Sequence, residues 1–302
     1  MYVWFDAVIG YIGITKEYGE DIMRKYWNDN DTRIIQFMGK DNIEFHTVMF
    51  PAILIGSGAG YTLPYTIMAS EYLTSKSVKF SKSQGVGLNI EAALSVLGAD
   101  YWRFVLAYLY PETADTEFSI EVLKDIVNSS MNDKIGNFVN RVLVMAKNNA
   151  ALLGGDGAHV SVGTIEGDDI SNIIESYKSN FESLSIREAL RDAIALAALG
   201  NEIMSGTEPW ALAKAAASND KAKSEFSNVV HKLLRIAFDL GVLLYPFTPG
   251  ASSKILGYFD TEGIPSFDML ESNVNLNTEK RVDIVFSKIT ENEIGQLRKF
   301  EA

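Results

Sequence analysis

The chain has 302 residues, 47% of them hydrophobic and 22% charged, a composition that predicts a globular protein with ample core and room for two domains. The absence of cysteine excludes disulfides and thiolate metal sites, and the three histidines, His46, His159 and His231, are too scattered to predict zinc. A net charge of -12 argues against polyanion binding over the whole surface, while a local basic patch can still grip RNA.

No apolar run is long enough to span a bilayer, and the start carries neither a positive n-region nor a cleavage pattern, so the cytoplasm is expected. Tyr2-Val3-Trp4-Phe5 is a β-prone aromatic run with no cap or tail before it, the opening expected of a chain that starts inside a domain. A helix beginning near Asp6 would turn Trp4, Ala7 and Tyr11 to one side. Plain core packing would use the same three residues.

Arg33-Ile34-Ile35-Gln36-Phe37-Met38 reads as a buried parallel strand running into Gly39-Lys40-Asp41-Asn42. Asp41 with Glu44 predicts a capping box and a helix through Phe50. Strand, glycine turn and helix start form a βα unit of the kind that holds ligands at the carboxyl end of a parallel sheet. On that helix Asn42, His46 and Phe50 recur every four residues, so an amide, an imidazole and an aromatic share a face. A satisfied structural histidine fits the same pattern. Gly56-Ser57-Gly58-Ala59-Gly60 follows a helix instead of a strand, so it is read as a helix stop and not a dinucleotide fingerprint.

Met68 to Thr74 predicts a further strand. Beyond it lies Lys79-Phe80-Ser81-Lys82-Ser83, with Gly85 and Gly87 just downstream. Two lysines on a loop suit the triphosphate of a nucleotide, because ammonium groups can follow charge as it develops. A solvated basic loop is the plainer alternative. Asn89 is expected to cap a helix closed by Gly98, and Asp100 to cap Tyr101 to Tyr110.

From Ser119 onward the apolar period becomes helical, with Val122, Ile126, Ile135, Val139 and Val142 on one face and Asn137, Asn140, Arg141, Val144 and Lys147 largely opposite. Ser185 and Glu188 predict a capping box, residues 154–167 a loop, Phe226 to Leu244 a third helix, and Thr248-Pro249 the start of a fourth. The second half is therefore expected to be an antiparallel helix bundle. Between its helices, Pro209 precedes Trp210. An exposed indole there would stack an unpaired base, and a buried one would plug the bundle end.

Taken in order, Tyr2-Val3-Trp4-Phe5-Asp6-Ala7 with Gly10-Tyr11, then Gly39-Lys40-Asp41-Asn42 with Phe45-His46 and Phe50-Pro51-Ala52, then Lys79-Phe80-Ser81-Lys82-Ser83, resemble the methionyl-tRNA synthetase family. The last element is similar to its KMSKS signature, with Phe80 for methionine. The resemblance implies a class I aminoacyl-tRNA synthetase that activates methionine with ATP and transfers it to tRNA(Met). Its implied fold is α/β plus all-α: the second half of a Rossmann-like parallel-sheet domain (residues 1–68), a loop and connecting segment (69–116), and a helical anticodon-binding domain (117–302).

The resemblance further implies methionine contacts at Trp4, Asp6, Ala7, Tyr11, Asn42, His46 and Phe50. It implies ATP contacts at Gly39, Asp41, Lys79, Ser81 and Lys82, the two lysines being catalytic with Mg²⁺ as partner. Asn140, Arg141, Asn201, Pro209 and Trp210 are similar to the constellation that reads the CAU anticodon. Val8 stands where many members have proline and Phe50 where many have tryptophan. The HIGH signature and the zinc-carrying knuckle are absent, so no zinc site is expected and the chain as it stands is expected not to activate methionine. A monomer is expected. The alternatives are a stand-alone RNA-binding protein and a different class I synthetase.

Overall fold

The computed structural model describes residues 3–75, 78–79, 88–155, 158–165, 168–261 and 263–300. They divide into two compact units, Met1–Thr74 with Tyr110–Glu117, and Ser75–Leu109 with Phe118–Ala302.

The first unit opens with α1 (Val3–Tyr18) and α2 (Glu20–Trp27). The β-prone start is thus helical from Val3 onward. Trp4, Val8 and Ile12 recur every four residues, and burying Val8 and Ile12 on one stripe outweighs the strand propensity of the aromatics. After β1 (Ile34–Gly39) come a 3-10 turn at Lys40–Asn42, a π-helical turn at Phe45–Met49 and α3 (Phe50–Gly56). The Asp41/Glu44 capping box does not form. Gly39 occupies the cap position without a side-chain hydrogen bond, and the tight turn pulls Asp41 back toward Gly39.

Strand β2 (Pro64–Ser70) runs parallel to β1, as the βα pattern predicts, with Phe37 opposite Met68 and Gly39 opposite Ser70. β1 is not the doubly buried strand expected, since Ile35 and Phe37 are 43% and 51% exposed. Helices cover the other face, where Ile34 packs against Val8, Ile12, Met23, Trp27, Phe50 and Leu54. The expected strand over 68–74 is split, with β3 beginning again at Leu73–Ser75. Thr116 N, at the start of β5 (Thr116–Phe118), donates to Tyr72 O at 3.0 Å, and Thr74 Oγ1 donates to Thr116 O at 3.1 Å.

In the second unit β4 (Val78–Lys79) precedes α4 (Ile90–Val96) and α5 (Ala99–Tyr108). Asn89 caps α4 by accepting Glu91 N at 2.8 Å. Asp100 does not cap its own helix. Its carboxylate accepts Gly250 N and Ala251 N, at 3.3 and 2.6 Å, at the start of α12 (Pro249–Leu256), where unpaired amides and the helix dipole attract an anion. Ser119 caps α6 (Ile120–Ile126), which continues through a π-helical stretch, Val127–Gly136, into α7 (Asn137–Asn148).

The segment expected as a loop over 154–167 contains β6 (His159–Val162), which pairs antiparallel with β7 (Val274–Asn277). Next come α8 (Asp168–Glu182), α9 (Ile186–Thr207), α10 (Pro209–Ala215) and α11 (Asp220–Leu243), before α12 and the terminal α13 (Glu291–Phe300). Ser185 precedes α9 without capping it; its N donates to Asn180 O at 2.8 Å, and the Glu188 side chain pairs with Arg191. The two longest of these helices carry the core. Gly200 of α9 lets the Phe138 ring of α7 approach so closely that a Cβ would meet it at 2.5 Å. In α11, Arg235 and Asp239 form a buried pair at 2.9 Å, and Arg235 also donates to the carbonyls of Leu270 and Ser272. Among the described residues no helix is long and apolar enough to cross a membrane.

Candidate functional site

In the first unit the residues singled out by spacing come together across α1 and the π-helical turn. Tyr11 places its hydroxyl 2.9 Å from His46 Nε2, and His46 Nδ1 lies 2.9 Å from Asn42 O. A carbonyl only accepts, so Nδ1 carries the proton; in the neutral ring Nε2 is then the acceptor and the tyrosine hydroxyl donates. His46 is 4% exposed while Tyr11 is 44% exposed, so a buried imidazole holds the hydroxyl of a residue that faces outward. The π-helical geometry matters here, because π turns widen the helix and re-aim side chains.

Phe50 is fully buried beneath this pair, with its ring 5.7 Å from Tyr11 and 6.1 Å from Trp27. Trp27 Nε1 donates to Thr15 Oγ1, which donates to Tyr11 O, so α1 is fastened from below. Trp4, half-buried, stacks on Phe45 at 4.1 Å with 11° between the rings. Asp6 and Ala7 are exposed on α1. Tyr11, Asn42, His46 and Phe50 are thereby joined by contacts, and Trp4 meets the group through Phe45, which packs against the cluster holding Phe50. Asp41 is exposed and accepts from Asn42 Nδ2 at 3.3 Å, and its Oδ1 lies close over Gly39. A cavity in the unit, about 580 Å³ and lined by Phe5, Met49, Ala52 and Ile53, contains none of these residues.

Phe45 and Trp27 were not among the expected site residues. The signal for Phe45 was present, since it sits beside His46 and four residues after Asp41. Ser81 and Lys82 lie outside the described residues, and Lys79 is described in its backbone alone, as the end of β4.

The second unit brings Arg141 over the Trp210 ring, 5.6 Å from its centroid, and Trp210 is 40% exposed. Pro209, buried, starts α10 directly after Glu208, whose left-handed φ of 42° turns the chain sharply between α9 and α10. The indole is therefore held at a fixed corner and does not plug the bundle. Asn201 donates to Lys134 O and Ala197 O, both at 2.9 Å, which ties α9 to the end of the π-helical stretch. Asn140 is half-buried, whereas Asn137 is exposed one turn before Arg141 and shares its face. The four-residue spacing could have singled out Asn137.

Residues 1–143 match the family described as tRNA synthetases class I (M), and residues 156–301 match the anticodon binding domain of methionyl tRNA ligase. The chain is 35% identical over 315 aligned residues to the methionine–tRNA ligase of Caldivirga maquilingensis, covering 99% of this chain and 51% of that protein. The chain belongs to the methionyl-tRNA synthetase family.

The methionine–tRNA ligase of Pyrobaculum islandicum is likewise 35% identical, over 99% of this chain and 52% of its own length. The chain thus spans about half the length of the curated relatives it matches. The fold agrees with that of methionyl-tRNA synthetase from Mycobacterium tuberculosis bound by methionyl-adenylate. The TM-score is 0.78 at 24% identity, over 95% of this chain and 56% of that one. The family assignment gives a class I half followed by a helical anticodon-binding region, the α/β plus all-α architecture expected from the sequence.

Proposed function

We propose that this chain supplies the methionine pocket and the anticodon-reading region of a methionine–tRNA ligase acting in the cytoplasm, with methionine, ATP and tRNA(Met) as substrates. The observation that carries the reading is the Tyr11–His46–Asn42 hydrogen-bond chain set among Trp4, Phe45 and Phe50. A thioether is polarisable and gains from aromatic edges, and a fixed hydroxyl gives it one polar neighbour. The rings also limit length and branching, so the pocket selects by shape.

In the proposed reaction the methionine carboxylate attacks the α-phosphate of ATP and pyrophosphate leaves. The 3′-terminal ribose of the tRNA then takes the acyl group and releases AMP. Asp6 is assigned to the ammonium of methionine, and Gly39 and Asp41 to the nucleotide. Lys79 and Lys82 are assigned to the charge that develops on the β- and γ-phosphates, with Ser81 beside them. Mg²⁺ enters with the ATP phosphates as part of the substrate, and no step rests on a protein-held ion. Residues 1–68 serve activation, 69–116 connect, and 117–302 read the anticodon.

The tRNA reading is supported by the corner that presents Trp210 with Arg141 over it. Trp210 is assigned to stack on an anticodon base, with Asn140, Arg141, Asn201 and Pro209 around it. Titration of the chain with a CAU anticodon stem-loop tests this half: saturable binding that a changed anticodon weakens supports it, and equal affinity for any loop overturns it.

A further inference from the structure

Lys40 follows Gly39 directly in the β1 turn, where a lysine beside a glycine invites reading as a phosphate ligand. Its ammonium is already engaged. Glu71 Oε2 binds it closely, Asp115 Oδ1 lies at 3.3 Å, and the Tyr72 ring lies 4.5 Å away. The same Asp115 oxygen accepts Tyr72 N at 2.8 Å, and Glu71 N donates to Pro111 O at 2.9 Å. Three stretches far apart in sequence therefore meet at one cation: the β1 turn, the β2–β3 connection and residues 110–117. All belong to the first unit, although the last is flanked in sequence by the second.

We propose that Lys40 is a positioning residue and not a nucleotide ligand: through Glu71 and Asp115 it fixes the turn that carries Asp41 and Asn42, and it fastens residues 110–117 to that turn. An ammonium has three protons on a flexible stem and can satisfy two carboxylates at once, and two charged partners hold it more firmly than one. Donating a hydrogen bond to Glu71 raises the lysine's affinity for its proton, and the Tyr72 amide holds Asp115 below the usual carboxylate range, so both groups stay charged at neutral pH. Asn42 O orients His46, so a loosened turn would slacken the Tyr11–His46 pair without removing any group from it. This consequence rests on the methionine reading of the pocket; the fastening itself does not.

The test uses this chain and the variants Lys40→Met, Lys40→Arg and Asp115→Asn, read by amide hydrogen exchange and by titration with L-methionine and with Mg·ATP. Lys40→Met and Asp115→Asn should each speed exchange at Tyr72 and across 110–117 by about fivefold or more, with Lys40→Arg close to the parent. Both should weaken methionine binding together, and neither should tighten ATP. Unchanged exchange in Lys40→Met overturns the proposal. So does tighter ATP binding in Asp115→Asn, because a freed phosphate ligand would gain. If the parent chain binds no methionine, the pocket reading fails, while the exchange data still decide the role of Lys40.

Discussion

Tyr11 and His46 lie 35 residues apart in sequence and 2.9 Å apart in space, the hydroxyl donating into a buried imidazole whose other nitrogen is committed to Asn42 O. Tyr11→Phe leaves that buried Nε2 without its donor. The expected loss is about 1–2 kcal/mol of stability, measured by urea unfolding followed through Trp27 and Trp4 fluorescence, the size of one hydrogen bond with its orphaned partner. His46→Ala should cost more, because it also opens space above Phe50. Full stability in both variants would mean that the pair is incidental.

Trp210→Ala should weaken the CAU anticodon stem-loop by roughly 1–3 kcal/mol in a binding titration, the range for one base stacked on an aromatic ring. Because Trp210 is 40% exposed, the melting temperature should hardly move. Arg141→Ala should weaken binding less and flatten its salt dependence. A large fall in melting temperature with unchanged RNA affinity would return Trp210 to a packing role.

Gly200→Ala introduces a Cβ that would stand 2.5 Å from the Phe138 ring at the crossing of α9 and α7. Overpacking of this kind costs about 1–3 kcal/mol. Thermal unfolding followed by far-ultraviolet circular dichroism checks it. A neutral result would mean the two helices separate without penalty.

The buried pair in α11 gives a pH prediction. Burial pushes Asp239 up to about 6 against the pull of Arg235, above its ordinary 3.8. The folded state then holds a proton that the unfolded state has released. Its contribution to stability is full below about pH 4 and is lost as pH rises through about 6. Asp239→Asn should remove that part of the slope, measured as denaturation midpoints from pH 4 to 7. Arg235→Met should cost about 3–5 kcal/mol near pH 7, where it strands a buried carboxylate and two carbonyls, and less near pH 4, where Asp239 holds its proton.

Local signals carried much of the fold. Asn89, Ser119 and Pro249 start their helices as their types predict, Gly56 ends α3, and Phe226 to Leu243 is one helix. Where a residue had two candidate partners, sequence spacing could not choose. Asp100 was offered its own helix and took the start of α12, and Ser185 lost Glu188 to Arg191. Pairings over long separations left no local trace. The β6–β7 ladder joins His159 to Asn277, and Lys40 meets Asp115. In the candidate site the four-residue spacing of Asn42, His46 and Phe50 was legible, yet their joining to Tyr11 depends on a π turn that propensity does not announce.

The most direct test is a nuclear magnetic resonance titration of this chain with L-methionine, following the ring protons of His46 and the indole protons of Trp4 and Trp210. Saturable shifts are expected at His46 and Trp4, none at Trp210, with loss of the response in Tyr11→Phe. Shifts that Tyr11→Phe leaves unchanged, or no response at His46 at saturating methionine, would contradict the pocket reading.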